Sequence, residues 1–158
     1  KTVSLDDFDG AKAYLIAFIC VHCPYVKHIE DEFAALAVEY QKKGVGVVAI
    51  NSNDPDYDPD DDLVGMKKQA AEHNFSFSYL VDETQEVARA YQAACTPDLY
   101  VFGEDKRLVY RGRFDETRPG SGQPSGTDLR AALEAILDGK PVLTDQNPSI
   151  GCNVKWKS

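Results

Sequence analysis

The chain has 158 residues, 43% hydrophobic and 27% charged, the composition of a soluble globular protein. Seventeen Lys and Arg against 26 Asp and Glu leave a net charge of −9, which argues against nucleic acid or an anionic membrane surface as a partner. The length fits one domain over 1–158, with a core of about 2–138 and a tail over 140–158. Such a chain buries roughly two-thirds of its unfolded surface without disulfide staples. No apolar run reaches the length of a membrane-crossing helix, and a cytoplasmic location is expected. The chain begins with Lys1, so a trimmed N-terminus is compatible with it.

In chain order, Ser4-Leu-Asp-Asp-Phe8 reads as a capped helical turn after a short strand, and Ala13–Phe18 as a buried strand. A helix is expected from Pro24 to about Lys43. Its apolar stripe is Val26, Ile29, Phe33, Leu36 and Tyr40, with Lys27, Glu30, Asp31 and Glu39 elsewhere, and Gly44 ends it. Val45–Ile50 is nearly all apolar, as suits a strand covered on both faces. Asn51–Asp62 is a polar loop with two prolines and six aspartates, read as solvated; it lacks the Gly and Glu that a calcium loop needs. A helix over about Leu63–His73 and a strand over Phe77–Val81 follow, then a helix over Gln85–Tyr91 that Thr84 is placed to cap. Leu99–Phe102 and Leu108–Arg113 flank a hairpin turn at Gly103–Lys106. Ser125 or Thr127 opens a last helix with Leu129, Leu133, Ile136 and Leu137 on one face, and Lys140–Ser158 has little periodicity. Alternating strands and helices imply an α/β fold, and the closing hairpin implies a mixed sheet.

Four cysteines, at 20, 23, 95 and 152, are too few and too uneven for a disulfide scaffold and fit catalytic or metal use. Cys20-Val-His-Cys23-Pro24 stands where the first core strand passes into the long helix. Two cysteines at this spacing can act as one two-electron unit. Pro24 suits the first helical turn, where its missing N–H costs nothing. Unpaired N–H groups and the positive dipole end there favour a thiolate. Right-handed crossovers place the pair beyond the C-terminal end of the strand, where sites in such sheets usually lie.

Two separated motifs resemble the thioredoxin superfamily, within it the peroxiredoxin-like, AhpC/TSA-related redoxin branch. One is Phe18-Ile-Cys20-Val-His-Cys23-Pro24-Tyr-Val-Lys-His28; the other is Ala94-Cys95-Thr96-Pro97-Asp98-Leu-Tyr-Val-Phe102 with the hairpin after it. The resemblance implies a thioredoxin-like fold, a mixed central sheet flanked by helices, and a cis-Pro97 lying against the cysteine pair. The long stretch between Cys23 and Pro97 leaves room for an extra helix and strand, as in redoxins. The tail Pro148-Ser-Ile-Gly-Cys-Asn-Val-Lys-Trp156 is similar to that of a small peroxiredoxin-like subgroup. The chain also departs from these families. Ile19 stands where thioredoxins carry Trp, and Tyr14 where they carry a buried Asp. The peroxidatic Thr position falls on Cys20 if counted from Cys23, or on Ala17 if counted from Cys20.

The leading expectation is a thiol–disulfide oxidoreductase using Cys20 and Cys23, with Cys20, nearer the exposed end, attacking and Cys23 resolving. His22, Pro24, Cys95, Thr96 and Pro97 are supporting residues. A cationic His22 makes the pair more oxidising; the other reading is an uninvolved loop residue. Two residues before Pro97, Cys95 is either a third thiol for a disulfide or metal, or a small core residue. Cys152 is read as tail packing, with a second resolving thiol as the alternative, and His28 and His73 as helix-surface residues. No cofactor and no metal are expected, and the partners are protein or small-molecule thiols and disulfides and an electron donor. The competing readings are a thiol peroxidase, which the missing Thr disfavours, and a soft-metal site built from Cys20, Cys23, Cys95 and His22.

Overall fold

A computed structural model describes residues 3–8, 10–143 and 145–157. The short strand expected before Ser4 falls largely on residues 1 and 2, outside the described residues, and Val3 belongs to no strand. A 3-10 turn, Leu5–Phe8, precedes β1 (Ala13–Phe18), α1 (Pro24–Gln41) and β2 (Val45–Asn51). A second 3-10 turn, Pro59–Asp61, leads into α2 (Leu63–Glu72), followed by β3 (Ser78–Val81) and α3 (Glu86–Tyr91). Then come β4 (Cys95–Thr96), β5 (Asp98–Gly103), β6 (Leu108–Gly112), α4 (Thr127–Leu137) and β7 (Cys152–Asn153).

The main sheet has the order β3-β2-β1-β5-β6. The apolar composition of β1 and β2 explains their central place: every residue of both is buried. β1 runs parallel to β2 and antiparallel to β5. On one face Leu15, Ala17 and Val47 pack with Phe33 and Leu36 of α1 and Leu129 and Leu133 of α4. On the other, Ile16, Phe18 and Val48 pack with Ala88 of α3 and with Tyr100. The register pairs Phe18 with both Ile50 and Asp98, so the segment after β1 emerges beside the residues just before β5. Those residues include a cis peptide between Thr96 and Pro97.

Several local expectations are corrected. Asp82, not Thr84, receives the first free N–H groups of α3: its carboxylate accepts from Val87 at 3.2 Å and Ala88 at 2.9 Å. A carboxylate satisfies two donors at once, whereas Thr84 Oγ1 reaches only Glu86 N, at 3.4 Å. At α4 the cap position is Gly126 at φ 76°, and Asp115 accepts from the N–H groups of Ser125 and Gly126. The acidic loop is not wholly solvated. Asp58 caps the 3-10 turn, Asp62 caps α2, and Asp61 between them is buried. Glu30, read as off the apolar stripe, is 8% exposed and faces inward between Val26 and Phe33.

The tail is ordered against the core. β7 pairs antiparallel with β4, Cys95 opposite Asn153 and Thr96 opposite Cys152. Upstream, Ser149 Oγ donates to Asp98 Oδ1 at 2.7 Å or to the Gly112 carbonyl at 2.8 Å. Downstream, Val154 N–H donates to the Ala94 carbonyl at 3.1 Å, Lys155 N–H donates to Asn53 Oδ1 at 2.9 Å, and Arg89 stacks over Trp156.

Candidate redox site

The site forms where β1, α1, β4 and β7 meet. Cys23 is the N-cap residue of α1, in an extended conformation, and Pro24 is the first helical residue, as its fixed φ and missing N–H suit. Cys20 lies just past β1. The expectation that Cys20 is nearer the surface is overturned: both cysteines are 0% exposed. Cys20 Sγ is 3.3 Å from Thr96 Oγ1, and the Cys20 carbonyl accepts from Gln69 Nε2 at 2.9 Å. Cys23 Sγ is 3.4 Å from the Thr96 carbonyl oxygen and 2.8 Å from Cys152 Sγ.

These contacts separate the two thiols. A hydrogen bond from Cys20 lowers the Cys23 pKa, against the cost of burial, with help from the Cys152 thiol and the Val26 N–H. Cys20 moves the other way: it is the donor to Cys23, it is buried, and the Asp61 carboxylate is nearby. Cys23 is thus shifted toward the thiolate and Cys20 toward the thiol. Burial pushes Cys152 up to about 11 and Cys95 to about 12. The Cys95 thiol donates to the Pro97 carbonyl, two residues on, at 3.8 Å.

His22 projects into the acidic loop. Its Nδ1 lies 2.5 Å from Asp61 Oδ2 and 3.4 Å from Asp58 Oδ2. Asp61 is held rigidly: Oδ1 accepts from Val21 N–H at 2.7 Å and Asn51 Nδ2 at 3.3 Å, and Oδ2 also accepts from Asn53 Nδ2 at 3.2 Å. Any positive charge on His22 is thus matched by a carboxylate. Ligand atoms of Cys20, His22 and Asp61 lie within 4.8 Å of one another, a different set from the one foreseen. Both Asp61 oxygens are already engaged, so a cation there must displace existing bonds.

A polar cluster lies under Cys20. Gln69 Nε2 also donates to Glu30 Oε2 at 2.9 Å, Tyr79 donates to Gln69 Oε1 at 2.8 Å, and His73 Nε2 pairs with Glu30 Oε1 at 2.9 Å. Desolvation raises the Glu30 pKa. His73 is therefore more than the surface residue expected, and His28 Nε2 lies 2.8 Å from Thr117 Oγ1. The sequence signal for Glu30 is its spacing, four after Val26 and three before Phe33, overridden by its charge.

A mixed sheet whose first core strand delivers a cysteine pair to a helix start, opposite a cis-proline, is a thioredoxin-like arrangement. A secreted Mycobacterium tuberculosis disulfide oxidoreductase homologous to E. coli DsbE shares this fold, with TM-score 0.64 and 16% identity over 84% of this chain and 87% of that one. The chain belongs to the AhpC/TSA family, which it matches over residues 1–111. A hypothetical protein from Sinorhizobium meliloti 1021 is 46% identical, with TM-score 0.96 over 99% of this chain and 86% of that one. An uncharacterized conserved protein from Geobacillus kaustophilus is 54% identical, with TM-score 0.94 over 98% and 82%. No curated protein matches the sequence significantly. Among the described residues no helix is long and apolar enough to cross a membrane.

Proposed function

We propose that this protein is a thiol–disulfide oxidoreductase whose redox pair is Cys20 and Cys23, with Cys23 as the attacking thiolate. The observation that carries the reading is the placement of the pair: Cys23 is the N-cap residue of α1, and both sulfurs lie against Thr96, next to cis-Pro97. The lowering of Cys23 and the raising of Cys20 agree with Cys23 as the attacking sulfur. In the reaction the Cys23 thiolate attacks one sulfur of a substrate disulfide and displaces the other as a thiolate. Cys20 then loses its proton and attacks Cys23 Sγ. The second substrate thiolate leaves, and the Cys20–Cys23 disulfide remains until a dithiol donor reduces it. The substrates are protein or small-molecule disulfides, or thiols in the reverse direction.

The peroxidase reading has less support. Thr96 does bring a hydroxyl to the site, but it bonds Cys20, whereas Cys23 is the thiolate. The proposal is tested by following reduction of a model disulfide peptide with dithiothreitol as electron donor. Catalysis above background, abolished in Cys23→Ser and retained in Cys95→Ser, is the expected result. A Cys23→Ser variant as active as the parent would remove the proposal.

A further inference from the structure

We propose that Cys152 is a second disulfide partner of Cys23, delivered by the tail, so that Cys23 is shared between a Cys20–Cys23 and a Cys23–Cys152 bond. This rests on the reading of Cys23 as a redox thiolate and extends it to a residue 129 positions away in sequence.

The geometry is close to that of a bond. The two sulfurs are 2.8 Å apart, so reaching a disulfide length of about 2.05 Å needs movement of under about 1 Å. Such proximity makes the reaction unimolecular, with the partner already in place. The position is built. The tail is anchored upstream of Cys152 by Ser149 on Asp98 and downstream by Val154 on the Ala94 carbonyl. Between them Gly151 crosses so close to β4 that an added Cβ would lie 1.9 Å from the Thr96 carbonyl oxygen. Cys152 faces Thr96 in the β4–β7 ladder. Thr96 itself touches both members of the pair, Cys20 through its hydroxyl and Cys23 through its carbonyl. One residue thus holds all three sulfurs in register.

The chemistry balances with a disulfide as the oxidant. Cys23 thiolate attacks R–S–S–R′, forming Cys23–S–S–R and releasing R′S⁻. Cys152 gives up its proton and attacks Cys23 Sγ. The Cys23–Cys152 bond forms as the Cys23–R bond breaks, and RS⁻ leaves. The substrate disulfide gains two electrons, the protein loses two, and the released thiolates take up the Cys152 proton and one from solvent. A dithiol reverses the change.

The test oxidises the folded protein with excess glutathione disulfide, blocks free thiols at low pH, and maps tryptic peptides. Cys20 and Cys23 share the peptide Ala13–Lys27, so their mutual disulfide stays within one peptide. A bond to Cys152 joins two peptides. The expected result is a cross-linked pair in the parent and in Cys20→Ser, absent in Cys23→Ser, with Cys23–glutathione accumulating several-fold in Cys20→Ser/Cys152→Ser over Cys20→Ser. An internal Ala13–Lys27 disulfide with Cys152 fully alkylated overturns this inference and leaves the oxidoreductase reading standing. Free Cys23 and free Cys152 together overturn both.

Discussion

Gly151 and Thr96 meet backbone to backbone, with room for no side chain between them: a Cβ on Gly151 would sit 1.9 Å from the Thr96 carbonyl oxygen. Thr96 is also the residue that touches both buried cysteines. The contact therefore joins the tail to the redox pair. Gly151→Ala must push β7 off β4, with loss of ladder bonds and of Val154 packing. The expected cost is about 2 kcal/mol, a fall in Tm of about 4–8 °C for a domain of this size. Calorimetry measures the shift, and the Cys23–Cys152 cross-link should fall in parallel.

The reduced protein should show a thiolate at pH values where an ordinary cysteine, with pKa near 8.5, is protonated. The lowered Cys23 pKa has a definite sign in stability. Its ionised form is favoured by folding, so this contribution is fully present above the unfolded pKa and is lost as pH falls through the folded one. Thiolate absorbance in the ultraviolet should rise in a low-pH step that Cys23→Ser removes and Cys95→Ser retains. Disulfide-reduction rates should rise with pH across the same range.

His22 and Asp61 should shift the Cys20–Cys23 potential in opposite directions. His22→Ala leaves the Asp61 carboxylate unmatched near the sulfurs, disfavours the thiolate and moves the potential to more negative values. Asp61→Asn removes that negative charge and moves it to less negative values. For this two-electron couple each ~1.4 kcal/mol corresponds to about 30 mV. Equilibration with glutathione buffers reads both, and equal shifts of one sign would show that the pair acts only through packing.

Hydrogen peroxide turnover should stay at the level of Cys23→Ser, because the hydroxyl at the site is committed to the buried Cys20. A coupled peroxide-consumption assay with a dithiol donor measures it.

The central strands were legible because their apolar runs are uninterrupted, and α1 because its stripe keeps helical spacing over 18 residues. The pair at the strand–helix junction and cis-Pro97 were legible through motifs. The roles proposed for the two cysteines were not: they draw on Cys23 being the N-cap residue and on Cys20 being buried against Thr96. The tail was illegible because β7 is only two residues long and depends on a partner strand more than fifty residues earlier. Asp61 was hidden among six aspartates whose neighbours are exposed, and nothing local marks the one that turns inward toward Asn51, Asn53 and His22.

The most direct test of the central claim is which sulfur first accepts a substrate. Cys20→Ser/Cys152→Ser, in which Cys23 lacks both disulfide partners, is exposed to glutathione disulfide at neutral pH beside Cys23→Ser/Cys152→Ser, and adducts are located by mass spectrometry. The account predicts a glutathione adduct on Cys23 in the former and an unmodified Cys20 in the latter. Rapid modification of Cys20 in the latter, with Cys23 untouched in the former, would contradict it.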